Sequence, residues 1–197
     1  RRQRQMCIRD RFNSDQIQKI GKEISSKVDG KTLFDEFSRG RYSTDASVYQ
    51  IKPLGVVLPK DTNDVLSLME YSQKNSVPLL ARGGGSSQCG QTVGESVVLD
   101  YSKHQNKILE LNVEEKYVWV QPGVVLDHLN AYLKPHGLWF PVDVSTSSRA
   151  TIGGMSANNS CGSRSLYYGN MVHNVLAIEA ILDDGSIFNF DQINKNY

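Results

Sequence analysis

The chemistry written into this 197-residue chain is concentrated in two windows built from glycine and small polar residues. Gly83 to Gly94 reads GGGSSQCGQTVG, and Thr151 to Gly169 reads TIGGMSANNSCGSRSLYYG. Together they hold nine of the sixteen glycines in 31 positions, where an average usage of about 7% would supply roughly two. Neither Gly83–Gly94 nor Thr151–Ser163 contains a charged residue. Glycine permits backbone conformations closed to other residues and carries no Cβ to hold a ligand away from the main chain. Successive backbone N–H groups can then converge on an anion. Ser86, Ser87, Gln88, Thr151 and Asn159 can add donors without filling the space. Such loops would neutralise a pyrophosphate with many weak dipoles, and Arg82, just ahead of the first window, could add one full charge. The plain alternative is a pair of surface turns, where Gly, Ser and Asn are common for local reasons.

Other chemistries are poorly served. Gly30-Lys31-Thr32 resembles the end of a phosphate loop, but Ser25 stands where that motif requires glycine. Gly83-Gly84-Gly85 fails the dinucleotide fingerprint because Gln88 occupies its sixth position, and Val97–Asp100 then reads as a strand where a helix is needed. His104, His128, His136 and His173 are scattered, with no spacing that suits a zinc pair. Cys7, Cys89 and Cys161 are odd in number and lack a CxxC pair, a pattern fitting a reducing compartment better than a disulfide framework.

The elements that must position these windows are mixed. Gly55–Pro59 is a short apolar run, Thr62 is a candidate N-cap, and Val65, Leu68, Met69 and Ser72 follow on one helical face. Val77–Ala81 is a second apolar run that feeds the first glycine window. Strand, helix, strand and loop in that order predict a βαβ unit with a parallel pair, and place the window at a strand end, where ligand sites of α/β sheets gather. Ser96–Tyr101, Lys107–Asn112 and Lys116–Gln121 read as further strands. Val125, Leu129, Tyr132 and Leu133 form a helical stripe ending at Gly137. Asp184-Gly185 marks a hairpin between Val175–Leu182 and Ser186–Phe190.

Composition narrows the function classes. Apolar residues make up 39% and charged residues 22%, with 22 Lys and Arg against 21 Asp and Glu, a net charge of +1. A nucleic-acid binder normally shows a concentrated basic surface. The one basic run here, Arg1 to Arg11, has no counterpart elsewhere and reads as a tail or sequence artefact, set apart from the fold. No stretch approaches the roughly 18 to 20 apolar residues of a membrane span, so a cytoplasmic protein, at most peripheral to an inner membrane, is expected.

Taken together, ARGGGSSQCGQ at 81–91, VQPG at 120–123, PVD at 141–143, TIGGMSANNSCG at 151–162, YG at 168–169 and NVLAIEAILDDG at 174–185 resemble the flavin-binding domain of the vanillyl-alcohol-oxidase-like FAD oxidoreductases, the PCMH type. YSTDASVYQ at 42–50 followed by GVVLP is most similar to the branch of D-lactate, glycolate and D-2-hydroxyglutarate dehydrogenases. The resemblance implies an α+β fold of two subdomains, residues 35–102 and 103–190. A helical segment at 12–34 would precede them, and the start of a substrate domain, cut short, would follow at 191–197. It also implies FAD lying between the halves. Arg82, Gly83, Gly84, Gly85, Ser86 and Ser87 would serve its pyrophosphate, with Gln88, Gly90 and Gln91. Pro141, Asp143 and Ser147 would line a second wall. Thr151, Ile152, Gly153, Gly154, Ala157, Asn159 and Gly162 would hold the ribityl chain and flavin edge, with Gly169 and Val175 approaching through backbone atoms. Relatives that tether flavin through histidine have it where Ser86 stands, which implies non-covalent FAD here. Cys89 and Cys161 read as loop-packing residues.

The implied activity is oxidation of a D-2-hydroxy acid, with electrons passed to a quinone, cytochrome or electron-transfer protein. Some members of the branch carry an iron–sulfur cluster in a later domain. The resemblance implies no catalytic acid or base and no metal ligand within these residues, because the substrate cap follows the FAD domain. A sugar-alcohol oxidase, an enolpyruvyl-sugar reductase or a non-catalytic flavin-binding subunit would use the same flavin domain.

Overall fold

A computed structural model of the chain describes residues 12–191; the expectations for residues 1–11, Cys7 and the end of the chain lie outside them. Helix α1, Ser14–Ser25, opens with a capping box in which Asn13 and Gln16 exchange side-chain and backbone hydrogen bonds. Its Ile17, Ile20 and Ile24, three and four residues apart, form the buried face. Strand β1 (Lys31–Leu33), helix α2 (Glu36–Arg41), strand β2 (Gly55–Leu58), helix α3 (Thr62–Asn75), strand β3 (Leu79–Arg82) and strand β4 (Val97–Asp100) follow.

These strands make one sheet in the order β1-β2-β4-β3, with β1 antiparallel to β2 and β4 parallel to both its neighbours. Strands β2 and β4 are buried along their whole length, which accounts for their unbroken apolar runs. Val57, Val97 and Leu99 face α1 and α3, meeting Ile24, Val65 and Leu68. Val56, Leu58 and Val98 face the other way, toward Leu33, Tyr42 and Leu80.

Beyond Asp100 the chain forms a hairpin of β5 (Ile108–Asn112) and β6 (Tyr117–Val120), then α4 (Leu126–Leu133), which a short 3-10 turn continues to His136. Gly137, at a φ of +69°, ends it in the left-handed conformation. Short helices α5 (Ile152–Ala157), α6 (Ser165–Tyr168) and α7 (Met171–Asn174) lead to the hairpin of β7 (Ala177–Ile181) and β8 (Ile187–Asp191). One core here gathers Leu126, Val142, Met155 and Met171; another gathers Val124, Leu129 and Leu133; Phe140 and Ile152 touch both. The last hairpin returns to the first core, where Ile181 packs and the Gln73 side chain donates to the Asp183 carbonyl.

Several expectations need correction. Strands β2 and β3 flank β4 and do not pair with each other. The N-cap of α3 is Asp61, whose carboxylate accepts from the Asn63 and Asp64 N–H groups, and Thr62 is the first helical residue. Tyr132 is exposed, and Leu126 takes its place on the buried face of α4. The segment expected to be helical at 12–34 also supplies β1.

Candidate functional site

The first glycine window leaves the C-terminal end of β3 beside the buried end of β4. Gly85 (φ +63°) and Gly90 (φ +72°) adopt the left-handed conformation there, which glycine reaches at little cost. Ser87 organises the turn: its hydroxyl donates to Gln91 Oε1 at 2.7 Å and accepts from the N–H groups of Cys89 and Gln91. Among the described residues, none of the six successive backbone N–H groups from Gly83 to Gln88 donates to a protein acceptor. A run of partly exposed donors on a chain without side-chain bulk is an anion-binding arrangement.

The second window lies directly against the first. A Cβ on Gly83 would stand 2.0 Å from Thr151 Oγ1, and one on Gly84 would stand 2.1 Å from the Arg149 carbonyl oxygen. Gln91 Nε2 donates across the gap to Asn158 Oδ1 at 2.8 Å. The second window spends donors on the neighbouring segment of the chain. Ile152 N–H donates to the Val124 carbonyl and Gly153 N–H to the Pro122 carbonyl, at 2.8 and 2.9 Å, which anchors α5 on the VQPG segment. Gly153 must be small, because its Cβ would meet Pro122 Cβ at 2.5 Å. Thr151 is buried, while Gly154, Ala157 and Asn159 face outward.

The far end of the second window is pinned by Asp143, which accepts from the Arg164 N–H at 2.9 Å and the Ser163 hydroxyl at 2.7 Å. These bonds, the Arg164 N–H first, hold its carboxyl below the ordinary value. Gly162 passes so close that a Cβ would lie 2.2 Å from the Asp143 carbonyl oxygen. Pro141 and Ser147 flank this wall, the Ser147 carbonyl accepting from Asp127 N–H. Asn159 Oδ1 accepts from Val172 N–H. Gly169 (φ +78°) turns the chain against His173, whose Nδ1 accepts from Asn170 N–H in the capping box of α7. Val175 continues the backbone from that helix and packs beside Met171 and its neighbours.

Two placements differ from the sequence reading. Arg82 directs its guanidinium inward: Nη2 donates to the Thr44 carbonyl at 2.8 Å, and Nη1 to the Thr92 carbonyl at 3.1 Å and, at 3.5 Å, to that of Tyr42. It also stacks over the Tyr42 ring, 5.2 Å from the centroid. Cys89 and Cys161, expected to pack in their loops, are both exposed thiols.

Residues to which the sequence reading gave no site role complete the site. Tyr42 donates to the buried Asp100 carboxylate at 2.6 Å, and burial together with that carboxylate pushes its phenol upward. Asp45 accepts from the Thr92 hydroxyl at 3.0 Å, and Tyr49 covers Gly90. Segment 42–50 is thus wrapped along the first window. Its polar residues Tyr42, Thr44, Asp45 and Tyr49 were the signal for this, but the hydrogen-bond partners of the first three lie 38 to 58 positions away.

Residues 53–191 match the model of a family described as FAD binding domain. The chain is 42% identical over 156 residues to a D-2-hydroxyglutarate dehydrogenase of Haemophilus influenzae, covering 78% of this chain and 15% of that protein. It is 40% identical over 161 residues to a D-2-hydroxyglutarate dehydrogenase of Escherichia coli, covering 80% and 16%. It is also 37% identical over 176 residues to the glycolate oxidase subunit GlcD of Bacillus subtilis, covering 87% and 37%. The chain thus spans about a sixth of the length of these dehydrogenases. Among solved structures, a Physcomitrella patens BBE-like 1 protein matches with a TM-score of 0.75 at 20% identity, over 88% of this chain and 38% of that one. An alkyldihydroxyacetonephosphate synthase matches with a TM-score of 0.73 at 22% identity, over 84% and 33%. These establish the α+β fold expected from the sequence.

Proposed function

The chain belongs to the FAD binding domain family, and from that premise we propose that it is the cofactor domain of a flavin-dependent dehydrogenase acting on a D-2-hydroxy acid. The observation that carries the reading is the run of unpaired backbone donors at Gly83–Gln88, whose first two glycines lie against the Thr151 side chain and the Arg149 carbonyl. A Cβ at Gly83 or Gly84 would fill the contact between the two windows, so the close approach depends on glycine.

In this reading Gly83 to Ser87, with Gln88 and Gly90, receive the pyrophosphate through N–H dipoles. Gln91 bridges to Asn158 and keeps the windows in register. The outward-facing Gly154, Ala157 and Asn159 line the path toward the flavin ring, and Asp143 holds Gly162–Arg164 as the wall beyond it. Bound there without a covalent link, the flavin supplies a hydride acceptor for oxidation of the hydroxyl carbon. The residues of this chain bind and orient the cofactor; the groups that fix the substrate carboxylate and accept the hydroxyl proton lie in another domain. The names of the relatives, at 40% and 42% identity, favour D-2-hydroxyglutarate within the hydroxy-acid class, with D-lactate and glycolate as neighbours.

The test has two arms. The chain, purified and incubated with FAD, is expected to retain yellow flavin absorbance through desalting; a colourless product removes the reading. The polypeptide as expressed from its gene is expected to reduce an artificial dye acceptor with D-2-hydroxyglutarate and not with its L enantiomer. Flavin retention without turnover of any 2-hydroxy acid would remove the substrate assignment alone.

A further inference from the structure

Arg82 carries more connections than any other side chain at the first window, and all of its hydrogen bonds run to main-chain carbonyls on the protein's own segments. Nη1 reaches the Thr92 carbonyl, at the far end of the window that Arg82 itself opens. Nη2 reaches the Thr44 carbonyl, and Nη1 is also turned toward that of Tyr42. The guanidinium lies directly under the loop, because a Cβ on Gly85 would stand 2.5 Å from Nη2. Thr92 is tied separately to the same segment through Asp45.

We propose that Arg82 is the positioning residue of the cofactor loop: it spans the mouth of the 83–91 loop and holds both ends against segment 42–45, fixing the N–H groups of Gly83–Gln88 in their convergent array. The inference rests on the FAD reading and changes the role expected for Arg82, from a charge on the phosphate to a clamp beneath it. A planar fork with fixed donors can bridge two diverging carbonyls, and an ammonium group cannot reproduce that span while keeping the charge. Preorganised donors bind more tightly than donors that must be ordered by the ligand. Loss of the clamp therefore weakens pyrophosphate binding without removing a contact to it.

The experiment uses Arg82→Lys and Arg82→Gln in the full chain, titrated with FAD and separately with ADP at several salt concentrations, alongside thermal unfolding without ligand. Both variants are expected to bind ADP and FAD at least about tenfold more weakly, equivalent to ~1.4 kcal/mol. They are also expected to unfold near the wild-type temperature and to show a salt dependence of ADP binding parallel to wild type. Wild-type affinity in Arg82→Lys would overturn the proposal, since charge alone would then suffice. A shallower salt dependence in Arg82→Gln would also overturn it, since Arg82 would then be a phosphate contact. Should the Arg82 variants fail to fold, backbone nitrogen relaxation of the ligand-free wild-type chain is expected to show Gly83–Gln88 as ordered as the strand before them, and a loop mobile without ligand overturns the proposal. A wild-type chain that binds neither FAD nor ADP removes the flavin reading itself.

Discussion

Gly84→Ala tests the contact on which the site depends. The added methyl would sit 2.1 Å from the Arg149 carbonyl oxygen and 2.9 Å from its carbon. Carbon–oxygen contacts ordinarily begin at about 3.3 Å, so one backbone must retreat by roughly 1 Å, and neither can do so by turning a rotamer. Overpacking of this kind costs about 1–3 kcal/mol. Alanine returns about 0.4–1 kcal/mol by restricting the unfolded chain, which leaves a net loss of about 1–2 kcal/mol. Gly40→Ala in the last turn of α2 is the control, because its Cβ would meet nothing within 4 Å; there the helix gains about 0.5–1 kcal/mol. Urea unfolding of the three proteins, followed by circular dichroism, reads both signs from the shift in midpoint at constant slope. Flavin retained after desalting reads the functional arm, where Gly84→Ala is expected to lose FAD and Gly40→Ala to keep it. A Gly84→Ala protein as stable as wild type and still yellow would refute the close approach of the two windows.

Two further outcomes follow from single carboxylates. Asp64 is buried and accepts from the N–H groups of Asp29, Gly30 and Lys60 at 2.8, 2.9 and 2.7 Å. Asp64→Asn turns an amide nitrogen toward donors and should cost about 1–3 kcal/mol, visible as a lower urea midpoint; an unchanged midpoint would show that the turn at 29–30 does not depend on it. Asp143 titrates below its ordinary value in the folded chain, so its contribution is complete above the unfolded pKa of about 3.9 and is lost as pH falls through the folded value. The stability curve of Asp143→Asn should therefore be flatter than wild type below about pH 4, and parallel acid limbs would exclude a role for this carboxylate.

What could be read beforehand depends on how local its cause is. The glycine windows stand out because a surplus of one residue type needs no partner to be visible, and β2 and β4 because strands buried on both faces leave no polar alternation. The α3 helix was legible, while its cap was displaced by one residue because Asp61 and Thr62 are both competent N-cap types. Strand β1 is three residues long, with its first exposed, and carries no periodic signal. The insertion of β4 between β2 and β3 is decided by which faces α1 and α3 cover, a matter of packing that no local pattern encodes. The inward turn of Arg82 depends in the same way on carbonyls some 40 positions earlier.

The two windows looked equivalent as sequence, yet they divide the work. Ile152 and Gly153 donate to the Pro122–Val124 segment, so the start of the second window is a rigid wall built on the β6–α4 connection. A run of six successive available donors lies in the first window, whose own shape depends on Ser87 within it, Gln91 across it and Arg82 beneath it. A site of this kind neutralises charge through direction, not through net positive charge, which suits a chain whose formal charge is only +1. Its sensitivity should then lie where backbone path is set. Side chains at Gly84 or Gly85 displace a wall or strike the Arg82 guanidinium, whereas substitutions at the half-buried Ser86 and the exposed Gln88 change donors one at a time. Glycine is thus required in the first window by the molecule's own close contacts, before any ligand enters.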